Sequence, residues 1–265
     1  MTLFVSTSRK PGFNLAAEEF LFSQRKDDII FLYINNPCVV IGSNQAINEE
    51  VNLNYCKLNK IEIMRRLSGG GAVYQDNGNL NFCIIRNRVE SKFPLGTDYL
   101  KPIVKILNEM NLPVITGKRK DLWLNGFKIS GTASHIGNKR AMHHGTLLYD
   151  CNLQHLKQSL AAESPDIPSD NSHISSHFSD SENENPKDKI RAISSVPSPV
   201  LNIKNYMIEN GKEVTSSLDF FKLIVSKFLN SFGLPEPLKF NPEEIAHITE
   251  IQKNVFQKVH WLYKK

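Results

Sequence analysis

The sequence predicts an α+β domain. Short β-branched and aromatic runs of strand length recur from the N-terminus to Leu148, and amphipathic helical patterns separate some of them but not others. The regular βαβα alternation of a doubly wound sheet is missing, which removes the main α/β alternative. The 265 residues suffice for one large domain, or one with a small appendage, and for a buried core.

The elements follow in order. Met1 to Ser6 reads as a short strand, with neither the apolar core of a secretion signal nor the Arg/Ser-rich length of an organelle leader. A cytoplasmic protein is expected, or a mitochondrial matrix protein whose leader has been removed. Asn14 to Phe22 reads as an amphipathic helix with Asn14 as its N-cap. Ile29 to Ile34 and Cys38 to Ile41 are β-branched runs around Asn35-Asn36-Pro37, a strand, turn, strand unit. A helix over roughly Glu49 to Leu58 precedes a strand at Ile61 to Met64. After a glycine-rich stretch come Ala72 to Tyr74, a turn from Asp76 to Asn79 and a strand through Ile85. A helix from about Tyr99 to Met110 and strands near Leu122, Lys128 and Thr146 complete this half. From about 162 to 190 the composition turns to Ser, Asp, Asn, Glu, Pro and His, too polar to offset ordering entropy, so a flexible loop is expected. Helical patterns near Leu218 to Phe232 and Pro242 to Lys253 precede a last apolar piece, His260 to Tyr263.

Composition excludes several functions. No window approaches the uncharged run of a membrane helix. Lysine plus arginine exceed aspartate plus glutamate by five, but the basic residues are scattered without the aromatic interleaving of a nucleic-acid face. Cys38, Cys56, Cys83 and Cys151 lack C-x-x-C spacing, so neither a zinc site nor a disulfide framework is expected.

Arg65-Arg66-Leu67-Ser68-Gly69-Gly70-Gly71-Ala72-Val73-Tyr74 carries the most chemistry. Three consecutive glycines let backbone N–H groups approach an anion and tolerate positive φ, and the arginines supply charge for phosphate. A glycine-rich hairpin with two solvated arginines would look the same locally. The stretch is neither a Walker A loop nor a dinucleotide-binding G-x-G-x-x-G.

A second cluster joins Arg119-Lys120-Asp121, Lys128-Ile129-Ser130-Gly131-Thr132-Ala133 and His143-His144-Gly145-Thr146-Leu147-Leu148. A lysine in an apolar β-forming run is costly to bury without a negative partner, so Lys128 is a candidate for holding a carboxylate or phosphate. A surface lysine on a half-exposed strand is the plainer alternative. Adjacent histidines on a strand point to opposite faces, so no more than one of His143 and His144 should face a common site.

Together these pieces resemble the lipoate-protein ligase and lipoyltransferase family, whose signatures are R-R-x-S-G-G-G-[AT]-V-[YFH], a basic-x-Asp turn, K-[IV]-S-G-x-A and H-H-G-T-L-L. The resemblance runs from about Asn14 to Val200. It implies a mixed β-sheet flanked by helices, shared with biotin ligases, and ATP-dependent activation of lipoate to lipoyl-AMP followed by transfer to an acceptor lysine. By the same resemblance, Lys128 would be the catalytic clamp bridging acyl carbonyl and α-phosphate. Arg66 and Gly71, Ala72, Val73 and Tyr74 would line the adenylate phosphates and lipoyl chain, and Arg119, Asp121 and Thr146 would complete the nucleotide side. Ser68, Gly69, Gly70, Ser130, Gly131 and His144 would supply the remaining contacts to ATP or lipoyl-AMP. The chemistry agrees: a carboxylate attacking the α-phosphorus brings two anions together, and a lysine between them removes that repulsion. The implied small molecules are ATP, Mg²⁺ and lipoate, with no resident metal. The implied partners are lipoyl domains of 2-oxoacid dehydrogenase E2 subunits and the glycine cleavage H protein.

The sequence departs from the family pattern in three ways. Gln75 stands where His is common, and Lys120 where Asn or Phe is common. Two-domain members continue after a W-x-[WIL]-[YF]-G segment, whose start Trp261-Leu262-Tyr263 resembles, into a C-terminal accessory domain that this chain is too short to contain; a separate accessory-domain protein is therefore an expected partner. Two other functions are open. A lipoyltransferase or lipoyl-AMP-binding module would start from preformed lipoyl-AMP. An octanoyltransferase would need a cysteine three residues before the His of the His144-Gly145 pair, where Ala141 stands, and Cys83 reads as a buried strand residue.

Overall fold

The computed structural model describes residues 1–88, 97–160, 195 and 198–264; the expected flexible loop at about 162–190 lies outside the described residues. In chain order the elements are β1 (Thr2–Val5), α1 (Pro11–Gln24), β2 (Ile29–Tyr33), β3 (Cys38–Ile41), α2 (Ile47–Glu50), α3 (Leu53–Leu58), β4 (Glu62–Arg65), β5 (Val73–Gln75) and β6 (Asn79–Asn87). There follow α4 (Lys101–Glu109), β7 (Val114–Thr116), β8 (Leu122–Leu124), β9 (Phe127–Ser130), β10 (Thr132–Ile136), β11 (Arg140–Leu148) and α5 (Leu153–Ser159). The described chain closes with α6 (Ile203–Glu209), α7 (Ser217–Phe232), α8 (Pro242–Ile251) and α9 (Val259–Leu262).

The strands form a five-stranded sheet β1-β2-β6-β11-β10 and two three-stranded sheets, β4-β3-β5 and β7-β8-β9. The first two are mixed, since β1 and β2 run parallel, as do β3 and β4, while their other pairs are antiparallel. This is the expected α+β class.

The five-stranded sheet is buried on both faces, which is why β2 reads as an unbroken apolar run. Its period of two sends Ile30 and Leu32, with Phe82 and Ile84 of β6, into a core under α4 and α7. Ile29, Phe31 and Tyr33, with Cys83 and Ile85, enter a second core under α1 and α8. A third core lies behind Val39, Ile41 and Tyr74 of the β4-β3-β5 sheet.

Two local expectations need correction, and two expected turns carry the chain between sheets. The first helix begins at Pro11, a residue whose fixed φ suits the first turn. Asn14 is therefore an interior position, fully buried and hydrogen-bonded to Asn35 and to the Ile34 carbonyl, not an N-cap. β2 and β3 do not pair: β1 and β6 already flank β2, so the Asn35-Asn36-Pro37 bend moves the chain between sheets. The Asp76 to Asn79 turn does the same for β5 and β6. The helix expected over Glu49 to Leu58 is two helices, because Asn52 leaves the helical conformation to cap α3 through the Tyr55 N–H at 2.7 Å.

Neither arginine of the glycine motif is solvated. Arg65, 1% exposed, donates to the carbonyls of Gly42 and Gln45 and, at 3.0 and 2.7 Å, to Leu262. Trp261 Nε1 returns a bond to the Arg65 carbonyl at 2.9 Å, so this buried cation fastens α9 to β4.

Glu19 of α1 lies beside Glu18 among Leu15, Leu67, Met142 and Phe256, and burial pushes its carboxyl up from 4.5 to about 7. The folded state holds this proton between those values while the unfolded chain releases it, so the contribution is complete below pH 4.5 and is lost as pH rises through 7. Glu19→Gln is expected to raise the melting temperature more at pH 8 than at pH 5. Equal shifts at both values would show that the carboxyl is not buried as a neutral acid.

Candidate active site

The glycine loop runs from the end of β4 to β5. Gly70 has φ +86°, a left-handed conformation open to glycine, and Gly42 lets the Gly70 carbonyl approach where a side chain would collide. Arg66 holds the loop from inside. Its Nη1 donates to the Val40 carbonyl at 2.9 Å, its Nε to Ser68 Oγ at 2.9 Å, and its Nη2 to the carbonyls of Gly69 and Gly71 at 2.6 and 2.8 Å. Burial lowers its pKa to about 10, which leaves the guanidinium charged at neutral pH. On the outer side Ala72 donates its N–H to Ser195 Oγ at 2.9 Å, while the Ser195 N–H donates to Glu50 at 3.0 Å.

A buried hydrogen-bonded chain ties the loop to the large sheet. Ser68 Oγ lies 2.6 Å from His144 Nε2, His144 Nδ1 lies 2.7 Å from Glu18 Oε2, and Tyr33 OH donates to Glu18 Oε1 at 3.0 Å. Because Ser68 Oγ accepts from Arg66, its own hydrogen is free for His144 Nε2, which places the ring hydrogen on Nδ1 toward Glu18. The Ser-His-Glu order matches that of nucleophilic triads. Here, however, the serine is 1% exposed and braced by Arg66, so the chain acts as a strut. His143 points to the other face, with Nδ1 2.7 Å from Ser134 Oγ and its ring near Tyr99; burial pushes its pKa down to about 3, keeping it neutral. One histidine of the pair faces the site, as strand alternation requires.

Two spaces meet beside this strut. A narrow crevice between the five-stranded sheet, the β3-β5 face and α1 is lined by Leu15, Tyr33, Val40, Val73, Ala133 and, at its polar points, Arg66, Gln75 and His144. It is narrow, with a volume of about 30 Å³. A wider cavity of about 610 Å³ is lined by Ala72, Tyr74, Lys128, Ser130 and Leu148, by Glu49 and Glu50, and by the α5 face of Leu153, Leu156, Lys157 and Leu160. Val73, Gly131 and Thr146 belong to both walls. Gly131 is fixed there by its N–H to Thr146 Oγ1 at 3.0 Å, and its carbonyl accepts the Thr146 N–H at 3.0 Å.

Lys128, with 22% of its side chain exposed, has Nζ 3.5 Å from Asp121 Oδ2, so the negative partner expected of a half-buried lysine is present. Asp121, 3% exposed, is oriented by Trp123 Nε1 at 2.8 Å. Asp121 and Arg119 stand outside the lining of both spaces: Asp121 backs Lys128, and the exposed Arg119 reaches Ser198 Oγ at 3.1 Å on the cavity side. Glu18, Tyr33 and the α5 face were missed by sequence reasoning. The leucine spacing of α5 was a visible signal for a buried helix face; Glu18 gave none, since a glutamate early in a helix is ordinary.

Among the described residues no cluster of three His, Cys, Asp or Glu is placed to hold a metal ion, no helix is long and apolar enough to cross a membrane, and the four cysteines are buried free thiols. No cysteine lines the crevice or the cavity among these residues, and burial pushes the Cys83 thiol well up. Ala141 packs into the core on the far face of β11. What remains is an apolar slot that shares a wall with a mixed cavity, itself lined by a lysine, a shape suited to an acyl chain meeting an anionic activating group.

Residues 10–229 match the lipoyl protein ligase A/B catalytic domain family. The chain is 30% identical over 257 residues to lipoate-protein ligase LplJ of Bacillus subtilis, covering 96% of this chain and 70% of that protein. Two solved structures share its fold. Lipoate-protein ligase A bound with ATP superimposes with TM-score 0.75 at 21% identity, covering 99% of this chain and 98% of that one. A bipartite lipoate protein ligase from Thermoplasma acidophilum, studied with its E2 lipoyl domain, gives TM-score 0.73 at 22% identity, covering 99% and 95%.

Proposed function

The chain belongs to the lipoyl protein ligase A/B catalytic domain family, and we propose that it is a lipoate-protein ligase that joins lipoate to ATP as lipoyl-AMP and then transfers the lipoyl group to a protein lysine. The observation that carries this reading is the junction of crevice and cavity at Val73, Gly131 and Thr146, with Lys128 on the cavity wall three residues before Gly131.

The alkyl chain of lipoate enters the crevice, where each buried methylene contributes about 0.8 kcal/mol. Its carboxylate reaches the junction. ATP occupies the cavity with its α-phosphate toward Lys128. A carboxylate oxygen attacks the α-phosphorus, the bond to the bridging oxygen breaks, and pyrophosphate leaves. Lys128 lies between the two anions and is oriented by Asp121. In the second step the acceptor amine attacks the acyl carbon, AMP departs, and an amide forms. Gly69, Gly70, Gly71 and Ala72 give close backbone approach to the phosphates, Arg66 and Ser68 hold that loop in shape, and Arg119 serves the phosphates from the rim. Ser130 and Tyr74 complete the cavity wall, and His144 the crevice wall.

Magnesium fits as an ion carried by the nucleotide. It keeps water and phosphate ligands and needs only one or two carboxylates, and Glu49 and Glu50 on the cavity wall are the carboxylates that would face it. The acceptors are lipoyl domains of E2 subunits and the glycine cleavage H protein, and buried free thiols support a reducing compartment, in the first instance the cytoplasm.

The test is pyrophosphate release from ATP, magnesium and lipoate, followed by lipoylation of an apo lipoyl domain. Release and modification by the purified chain are the expected result. Modification from preformed lipoyl-AMP without pyrophosphate release would make the chain a transferase; release restored by an added accessory-domain protein would make it one part of a divided ligase.

A further inference from the structure

Gln75, a departure already visible in the sequence, is 5% exposed in the crevice wall. It ends a directed chain of buried hydrogen bonds. Ser6 Oγ donates to Asn14 Oδ1 at 2.6 Å, Asn14 Nδ2 to Asn35 Oδ1 at 2.7 Å, and Asn35 Nδ2 to Gln75 Oε1 at 2.7 Å. The direction is not arbitrary. Asn14 Nδ2 also bonds the carbonyl oxygens of Ser8 and Ile34, which only a donor can do, so each later amide must accept with its oxygen and pass its NH₂ onward. The Cys38 thiol adds a second contact to Gln75 Oε1. Gln75 Nε2 is therefore the free end, and it has no hydrogen-bond acceptor among the described residues.

Most other polar side chains of the crevice have already spent their donors. Tyr33 donates to Glu18, His144 is held between Ser68 and Glu18, Thr132 donates to the Lys120 carbonyl, and Arg66 holds the glycine loop. An amide N–H enclosed beside an entering chain lacks both protein and water partners unless the chain brings an acceptor. Gln75 follows Val73 by two positions on the same face of β5, which sets it about 7 Å deeper than the junction. The pentanoyl tether of lipoate spans a comparable length, which brings the dithiolane sulfurs beside Gln75.

Resting on the ligase reading, we propose that Gln75 selects a sulfur-bearing acyl chain over a plain alkyl chain, its Nε2–H donating to a dithiolane sulfur. A saturated eight-carbon acid fills the same crevice but leaves the amide unpaired, and a site built around a donor rejects the analogue that lacks the acceptor. The Asn14-Asn35 chain positions the amide and keeps its oxygen turned away.

The experiment compares lipoate with octanoate, both by calorimetric binding and by kcat/KM for pyrophosphate release, in the wild type, Gln75→Met and Gln75→Glu. Met removes both amide ends at similar volume; Glu keeps an acceptor for Asn35 and, assayed above the pKa of its carboxyl, carries no donor, while its charge acts on both acids alike, so a folded donorless variant is available if the Met protein is unstable. The wild type should prefer lipoate by about tenfold or more, and both variants should lose most of that ratio, chiefly through weaker lipoate use. A merely structural role would lower both acids equally and leave the ratio in place. A ratio within about twofold of wild type in a folded variant, or a wild type without preference, overturns the proposal. A preserved binding preference without pyrophosphate release would instead reject ligase activity and leave the role of Gln75 standing.

Discussion

Lys128→Ala is expected to abolish acceptor lipoylation while the protein stays folded. The strand that carries Lys128 is held by its backbone: its N–H donates to the Pro199 carbonyl at 2.9 Å and its carbonyl accepts from Leu201 at 3.2 Å, neither of which involves the side chain. What the substitution removes is the cation on the cavity wall, together with the partner of Asp121 at 3.5 Å. Losing a charge placed between two reacting anions costs several kcal/mol of transition-state stabilisation. Leaving Asp121 without its partner costs about 1–3 kcal/mol of stability, so a lower melting temperature should accompany an intact far-UV spectrum. Retention of more than about a tenth of wild-type turnover corresponds to a barrier change under about 1.4 kcal/mol and would reject the clamp role. Loss of pyrophosphate release with normal transfer from lipoyl-AMP would confine Lys128 to the first step.

Gly70→Val should sharply weaken binding of a non-hydrolysable lipoyl-adenylate analogue. At φ +86° a β-branched residue costs about 1–3 kcal/mol. The added Cβ would also stand 3.2 Å from Arg66 Nη2, the atom that holds the Gly69 and Gly71 carbonyls. Strain and contact act on the same ring of hydrogen bonds, so the loop should reorganise rather than absorb the change. Gly69→Ala separates strain from ligand contact, because a Cβ there meets no protein atom within 4 Å and the backbone is not left-handed. Calorimetry should show a loss of about tenfold or more for Gly70→Val and a smaller loss for Gly69→Ala, which reads ligand contact alone. Equal affinity in both would mean that the glycines form a turn and no binding surface.

The sequence by itself determined whatever depends on near neighbours. The β-branched run of β2 announced a strand, and the consecutive placement of His143 and His144 on β11 meant that they must face opposite ways. Asn241 and Glu244 mark the start of α8 through a reciprocal cap, and Ser216 marks that of α7. The glycine motif and Lys128 were legible as a candidate site through the order and spacing of the signatures they share with the family, since on residue type alone a solvated hairpin and a surface lysine read as well. The strand and cap signals act over one to four residues, the range of strand alternation and the helical turn.

Only the tertiary structure decided which strands pair and which buried polar groups satisfy one another. The bend after β2 signals a change of direction, but whether β3 stays beside β2 depends on β1 and β6 having already taken both its edges. Arg65 and Arg66 look like phosphate ligands in a list of residues. Their burial forces each to find carbonyl acceptors, and those come from the glycine loop, Val40 and the distant Leu262. The Glu18-His144-Ser68 strut and the Ser6-Asn14-Asn35-Gln75 chain join residues from different elements, and no local periodicity encodes them. A buried donor or acceptor must be paired, yet the pairing is set by which side chains packing brings together. That is why the candidate residues could be read along the chain, while the crevice, its junction with the cavity and the free amide of Gln75 emerged only from the fold.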